Sequence, residues 1–398
     1  MQALEGQIQH YLWGSQSAIP EFLGRTPDGS PWAEAWYGAH PVAPSLLADG
    51  RRLDDVITAD PATMLGEGVL RAFSDRLPYL LKVIAPAKPL SLQVHPKREH
   101  AAESFAAEEA AGLAIDSPLR SYRDDNHKPE MVIALTRFTA VCGFRTPRRA
   151  ATLLEGLGAD LTDRLHALLA RNPTAHGMRA AFRALVATSM RPSAEKVAEV
   201  VAACAARLER GESPSPRIDR TIARMAEHFP GDPGVVAVLL LNPVTLQPGE
   251  AMYVPAGALH AYIDGVGLEI MAASDNVLRA GLTPKRVDAE EMLQCVDVVA
   301  APPVRIAPER LTSSTVAYFA PVDDFELMET VLPAESAEGL VSIPGAGPRI
   351  VLALEGEVTL FTAETEVLLR RGEAVFVSAA EGALSARGEG RFVQACVP

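Results

Sequence analysis

The sequence predicts a mainly β chain with an α insertion: two jelly-roll β-barrel domains plus an all-helical domain. Three observations lead there. Turn-rich sequence with short apolar runs occupies both ends of the 398-residue chain. A block rich in Ala, Leu, Arg and Glu interrupts it between 147 and 241. One phrase, apolar–Gly–Glu–Ala–apolar–aromatic–Val, occurs twice, at Leu246–Val254 and at Leu369–Val377. A glycine turn feeding a half-buried strand, used twice, indicates two related β-domains.

The first β-domain is expected to combine residues 1–146 with 242–317. Its runs Tyr79–Ile84, Leu90–Val94 and Met131–Leu135 read as strands, and the Ala/Glu-rich stretch Ala101–Ala114 as a helix between them. Residues 147–241 form the helical insertion, with five or six short helices. There Val197, Val200, Val201, Cys204 and Leu208 recur at helical spacing, as do Ile218, Ile222, Met225 and Phe229. Ser193, after Pro192 and before Glu195, reads as a helix start. These apolar stripes are core, not a binding surface. The second β-domain spans 318–398 and carries a hairpin pattern, Ile350–Leu354 and Glu357–Phe361 around Glu355-Gly356.

Charge and composition restrict the function. A formal net charge of −13 argues against a nucleic-acid binder, which needs a basic surface. It leaves room for a small anionic substrate in a locally basic pocket. The apolar run Val235–Leu241 is too short to span a bilayer, so no membrane partner is expected. The N-terminal residues lack the basic and apolar regions of a secretory signal. Cys142, Cys204, Cys295 and Cys396 form no CxxC pair and sit among apolar residues, which suits free, buried thiols. The expectation is a cytoplasmic protein, monomeric or a weak homo-oligomer.

The chemistry concentrates in four segments. Gly249, five residues, then Pro255-Ala-Gly257-Ala-Leu-His260 fits the second cupin motif, G-x5-P-x-G-x2-H. The glycines and proline make a tight return that delivers His260 to the mouth of a strand, aimed into the barrel. A lone buried histidine is more often core; the full motif makes a metal ligand the better reading. In Ser91-Leu-Gln93-Val-His95-Pro96, Gln93 and His95 lie two apart on one strand face. Asp124-Asp-Asn126-His127-Lys128-Pro129-Glu130 is a polar loop that enters a strand at Glu130. Gln93, His95, Glu130 and His260 together offer two imidazoles, an amide oxygen and a carboxylate, a set that suits zinc with open positions. Finally, Arg279 and Lys285 in Ser274–Lys285 are cations suited to a phosphate or a developing oxyanion.

These segments resemble the class I mannose-6-phosphate isomerases, a cupin family. The resemblance rests on Gln93-Val-His95-Pro96, Asn126-His127-Lys128-Pro129-Glu130, Pro255-Ala-Gly257-Ala-Leu-His260-Ala-Tyr262 and Ser274–Lys285. Tyr11-Leu-Trp13-Gly14-Ser15 and Glu34–Pro41 also look like family motifs, and the likeness runs the length of the chain. It implies two cupin barrels, one Zn2+ per chain on Gln93, His95, Glu130 and His260, and interconversion of mannose 6-phosphate and fructose 6-phosphate. It also implies that Lys82, Ser91, Lys128, Glu269, Arg279 and Lys285 line the substrate site.

Aldose–ketose isomerisation through a cis-enediol needs a ring-opening acid, a base that reaches two carbons, and positive charge beside the enediolate. Lys128 and Glu269 are candidate proton carriers, and Arg279 a candidate for enediolate or phosphate. His127 is the expected ring-opening group, with Asp275 orienting it. Gln93 stands where a first cupin motif usually has histidine, and Glu130 follows His95 by 35 positions, a spacing that belongs to the isomerase family. Ala383 occupies the place of His260 in the second repeat, which is therefore expected to be metal-free. An iron oxygenase would want a more His-rich first motif. A non-catalytic sugar-binding cupin would lack so many Lys, Arg and Glu. A fused nucleotidyltransferase would need a Gly-rich nucleotide domain that the sequence does not contain.

Overall fold

The computed structural model describes residues 1–334 and 339–398. Its strands form three antiparallel sheets of ten, seven and five strands, with eleven α-helices among the described residues. The seven-stranded sheet runs Val304–Ile306, Ala251–Val254, Glu130–Ala134, Gly267–Ala272, Tyr79–Ile84, Glu34–Gly38 and Gln7–Gln9. The five-stranded sheet runs Leu278–Gly281, Leu92–Val94, His260–Asp264, Phe138–Phe144 and Leu241–Leu246.

Side-chain alternation explains how the layers stack. Ile84, Val132 and Ala134 of the larger sheet share one core with Ala140, Cys142 and Tyr262 of the smaller, so the two sheets face each other. The other face of the seven-stranded sheet, with Leu81, Val83, Met131 and Ile133, packs on Leu327, Ile350, Leu352 and Val393 of the ten-stranded sheet. The outer face of the five-stranded sheet, with Leu92, Val94, Ala261 and Ala280, is covered by Leu165, Phe182, Val200 and Ile222 of the helices. Residues one position away on the same strands must point between the two smaller sheets. Those residues are Lys82, Gln93, Glu130, His260, Glu269 and Arg279.

The helical block forms as its periodicity requires. Six α-helices lie between Pro147 and Ala237, and Val197, Val200, Cys204, Ile218, Ile222 and Met225 are all fully buried. Ser193 is the N-cap residue of the Ala194–Glu209 helix. The Ala/Glu-rich helix is shifted from its expected place. It runs Arg98–Ala110 and ends before Gly112, which adopts a left-handed φ of 70° that continues no helix.

The repeated phrase folds the same way twice. Ala251–Val254 and Ala374–Val377 are four-residue strands, each buried throughout. Gly249 and Gly372 precede them with φ of 84° in both cases. Glu250 accepts the Gln247 N–H, and Glu373 accepts the Arg370 N–H, each at 2.8 Å.

The expected hairpin at Glu355-Gly356 is not one. Arg349–Phe361 is a single thirteen-residue strand. Glu-Gly marks a bulge, with the register slipping between Ala353 and Glu355 and Gly356 at φ 71°. The Glu389 carbonyl would lie 2.2 Å from a Cβ there, so only glycine fits. The chain turns later, at Thr362–Thr365, to pair with Glu366–Arg370. Gln2–Glu5 also joins this sheet, against Ala374–Val377, so the ten-stranded sheet draws on both ends of the chain.

Candidate active site

Register sets the floor of the site. His260 lies opposite Gln93, which lies opposite Arg279, so the three form one row across the five-stranded sheet. On the facing sheet Lys82 lies opposite Glu269, and Glu130 opposite Met271 two positions along. The two rows meet between the sheets. His95 Nε2 is 3.2 Å from Glu130 Oε1, and His260 Nε2 is 3.3 Å from Glu130 Oε2. His260 is 0 %, His95 1 % and Glu130 2 % exposed.

The imidazole protons are fixed by their partners. His95 Nδ1 is 2.7 Å from the Asn276 carbonyl, and His260 Nδ1 is 3.0 Å from the Ala258 carbonyl. A carbonyl only accepts, so each Nδ1 carries the hydrogen and each Nε2 presents a lone pair. Both lone pairs therefore point at a carboxylate. Burial drives the His95 imidazole down to about 4, which keeps it neutral. Burial opposes the Glu130 charge, but its cationic surroundings, Lys128 among them, hold the carboxyl well below its ordinary value. His95 Nε2 and Glu130 Oε2 are buried without a hydrogen-bond partner. Three converging acceptors reconcile only around a cation, and the ligand atoms of His95, Glu130 and His260 lie within 4.8 Å of one another. The donor set fits a borderline divalent metal. Gln93, half-buried, sits with Nε2 3.4 Å from His260 Nε2. Turning its terminal amide presents the oxygen to a metal instead.

A second buried group lies beside this one. Lys82 Nζ is 3.1 Å from Glu269 and 3.7 Å from Glu34, and stands over the Trp36 ring at 5.0 Å. Trp36 Nε1 donates to Glu34 at 2.6 Å. Burial opposes the Lys82 charge, but Glu34, Glu269 and Glu130 outweigh it and hold the ammonium above its ordinary value. Burial raises the Glu269 carboxyl, which Lys82 only partly offsets. Lys128 Nζ is 3.4 Å from Glu130. Three carboxylates thus face two ammonium groups, an imbalance that a divalent cation would reverse.

Beside the floor, and sharing Arg279 with it, opens a cleft of about 1190 Å³, lined by His40, Asp275, Arg279 and Lys285 among others. Arg279 has no hydrogen-bond or ion-pair partner among the described residues. Burial lowers its guanidinium, as the cleft walls and Arg279 itself lower the exposed Lys285 ammonium. Arg279 and Lys285 thus bring two cations to one cleft, which Asp124, Asp275 and Asp288 also line. Ser91 is half-buried just before the Leu92–Val94 strand, in step with Gln93.

The expected His127–Asp275 pair does not form. His127 turns away to Asp324, at 3.0 Å, and contacts Arg98. Asp275 instead faces His40, whose Nε2 is 3.5 Å away. His40 Nδ1 accepts the Val42 N–H, so Nε2 carries the proton, and its ring packs edge-on against Trp36. His40 and Glu34 both lie in the Glu34–Pro41 motif, which marked the segment without revealing their roles. Asn276 was missed as well. It is fully buried, its amide donates to the Asp124 and Asn126 carbonyls at 2.8 and 2.9 Å, and its own carbonyl aligns His95.

Fold and site together define a metal-dependent enzyme: a His–Glu–His floor between two antiparallel sheets, beside a cleft that carries Arg279 and Lys285. Comparison with known proteins agrees. Residues 1–147 match the family described as phosphomannose isomerase type I, catalytic domain. The mannose-6-phosphate isomerase of Escherichia coli (strain K12) is 37% identical over 376 residues, covering 93% of each chain. That of Homo sapiens is 30% identical, covering 90% of this chain and 88% of its own. A crystal structure of the Salmonella typhimurium enzyme, bound to fructose 6-phosphate and zinc, aligns with a TM-score of 0.89 at 36% identity, over 100% of this chain and 99% of that one. The chain belongs to the mannose-6-phosphate isomerase family.

Proposed function

We propose that the chain interconverts D-mannose 6-phosphate and D-fructose 6-phosphate in the cytoplasm, with one zinc on Gln93, His95, Glu130 and His260. The observation that carries this reading is the convergence of two imidazole lone pairs on a buried carboxylate, with His95 Nε2 and Glu130 Oε2 unpartnered. The fructose 6-phosphate and zinc in the Salmonella typhimurium relative support the substrate and the metal.

When bound, zinc supplies orientation and positive charge beside oxygens that become anionic. The chain's own residues do the rest. Arg279 and Lys285 grip the phosphate or the enediolate, since neither is spent on an internal partner. Ser91, in step with Gln93 at the start of the same strand, offers a hydroxyl to the sugar. The proton moves between C1 and C2 of a cis-enediol. Glu269 is the stronger candidate to carry it: burial raises its carboxyl toward the range where it can both take and return a proton. Lys82, firmly charged, positions Glu269, and Lys128 is the alternative carrier. Ring opening falls to His40 with Asp275, the pair the cleft presents, in place of His127.

We read 1–146 with 242–317 as the catalytic cupin barrel, 147–241 as a helical insertion that backs its metal-bearing sheet, and 318–398 as a metal-free cupin-like barrel. A coupled assay tests the function. Purified chain should convert mannose 6-phosphate, lose the activity to a chelator and regain it with zinc. Full activity in a metal-free sample, or no conversion with zinc present, would overturn it.

A further inference from the structure

Away from the cleft floor, a second set of metal-ligating side chains converges. His100 comes from the Arg98–Ala110 helix, and Glu291 and Cys295 from the Ala289–Cys295 helix. Four positions apart, Glu291 and Cys295 share one helix face. His100 Nε2 is 2.8 Å from Glu291 Oε1. The hydroxyl of Tyr122 is 2.5 Å from the same oxygen and 3.2 Å from Cys295 Sγ. The ligand atoms of His100, Glu291 and Cys295 all lie within 4.8 Å of one another.

We propose that His100, Glu291 and Cys295 form a second, thiolate-containing metal site for a thiophilic divalent cation, with the Tyr122 hydroxyl or water completing the shell. Zinc–sulfur bonds of about 2.3 Å and zinc–nitrogen or –oxygen bonds of about 2.0–2.2 Å place tetrahedral ligands roughly 3.3–3.8 Å apart. To meet that spacing the 2.8 Å His100–Glu291 pair must open by about 0.5–1 Å, and the wider separations, all within 4.8 Å, must close by no more than about 1–1.5 Å.

The two sites differ in donor chemistry. The floor of the cleft offers imidazole, carboxylate and amide, and no sulfur. The second set adds a thiolate, so softer cations partition toward it while zinc suits both. Without a metal the cluster is self-satisfied, because Glu291 accepts from both His100 and Tyr122. Burial pushes the Cys295 thiol up to about 12, so it is protonated and unreactive in that state. A divalent cation entering the site takes the place of the thiol proton: one S–H bond breaks, one metal–sulfur bond forms and that proton leaves to solvent, while the hydrogen His100 Nε2 gave to Glu291 moves to Nδ1 so that Nε2 can ligate. Access is open from the surface, since the His100 and Glu291 side chains are 29% and 23% exposed while Cys295 lies beneath them.

Cadmium titration of protein loaded with one zinc per chain tests this. Wild type should take up one further cadmium per chain and show a thiolate-to-cadmium charge-transfer band in the ultraviolet. The sulfur-free site in the cleft cannot produce that band. Cys295→Ser should abolish the band and the additional ion while leaving isomerase activity unchanged. His100→Gln, a half-exposed change that leaves the core intact, should weaken uptake by at least about tenfold. A wild-type titration without the band would overturn the site. So would a band that survives Cys295→Ser, which would assign the sulfur to another cysteine.

Discussion

The two copies of the Gly–Glu–Ala phrase have one backbone and two chemistries. Around Gly249 and Gly372 the turns match in φ and in the glutamate that closes them. Past the turn they part. The first copy delivers His260 to a strand mouth opposite Gln93. The second has exposed Ala383 there, and its core, with Val351, Val358, Leu360, Leu369, Val375 and Phe392, is apolar. The turn therefore specifies a strand entry, not a metal site. Where the second copy packs apolar side chains, the first buries a costly set of charges, tolerable only because opposite charges, and a bound cation, offset one another.

That contrast can be broken at several points. Glu130→Gln should have the largest effect, since it removes the carboxylate that both imidazoles face. Activity should fall by roughly three orders of magnitude, with zinc lost in step by elemental analysis. Arg279→Ala should lower kcat by about 100-fold while zinc stays bound, because the role proposed for Arg279 is toward the substrate and not the metal. Loss of zinc from this variant would reassign it to the metal's support.

Lys82→Met should act on stability as well as rate. It strands Glu34 and Glu269 in the interior and should cost about 3–5 kcal/mol in denaturant unfolding. The sign of its pH dependence follows from the raised ammonium. A group whose folded value lies above its unfolded value of about 10.4 stabilises fully below that pH, and loses the contribution only as pH rises through the folded value. The gap between wild type and Lys82→Met should then be flat across neutral pH and close only in strong alkali.

The smallest effects belong to the turns. Gly249→Ala meets open space and pays only for its backbone conformation, about 1 kcal/mol. Gly372→Ala places a Cβ 2.8 Å from Leu23 Cα and should cost about 1–3 kcal/mol more, read as a lower Tm with unchanged activity per folded molecule.

What the sequence revealed follows the range of the forces involved. His260 was legible because its turn is contiguous: glycine, proline and glycine fix the return within a dozen residues. Gln93 and His95 were legible from strand alternation. The helical block was legible from period alone. Glu355-Gly356 misled because a bulge and a hairpin turn ask for the same left-handed glycine, and only the partner strand tells them apart. His127 misled because it is close to Glu130 in sequence but precedes the strand, where the pleat no longer dictates direction. His40–Asp275 and the Asn276 brace on His95 join residues far apart in the chain, and no local pattern encodes such pairs.

The central claim is that one copy of the repeat holds the catalytic metal and the other holds none. An anomalous difference map at the zinc edge, from crystals of the zinc-loaded protein, tests it most directly. The account predicts a peak within bonding distance of Gln93, His95, Glu130 and His260, and no peak near Ala383 or in the apolar core around Val351, Leu360 and Phe392. An empty floor between His95 and His260, or a zinc peak at that second core, would contradict it.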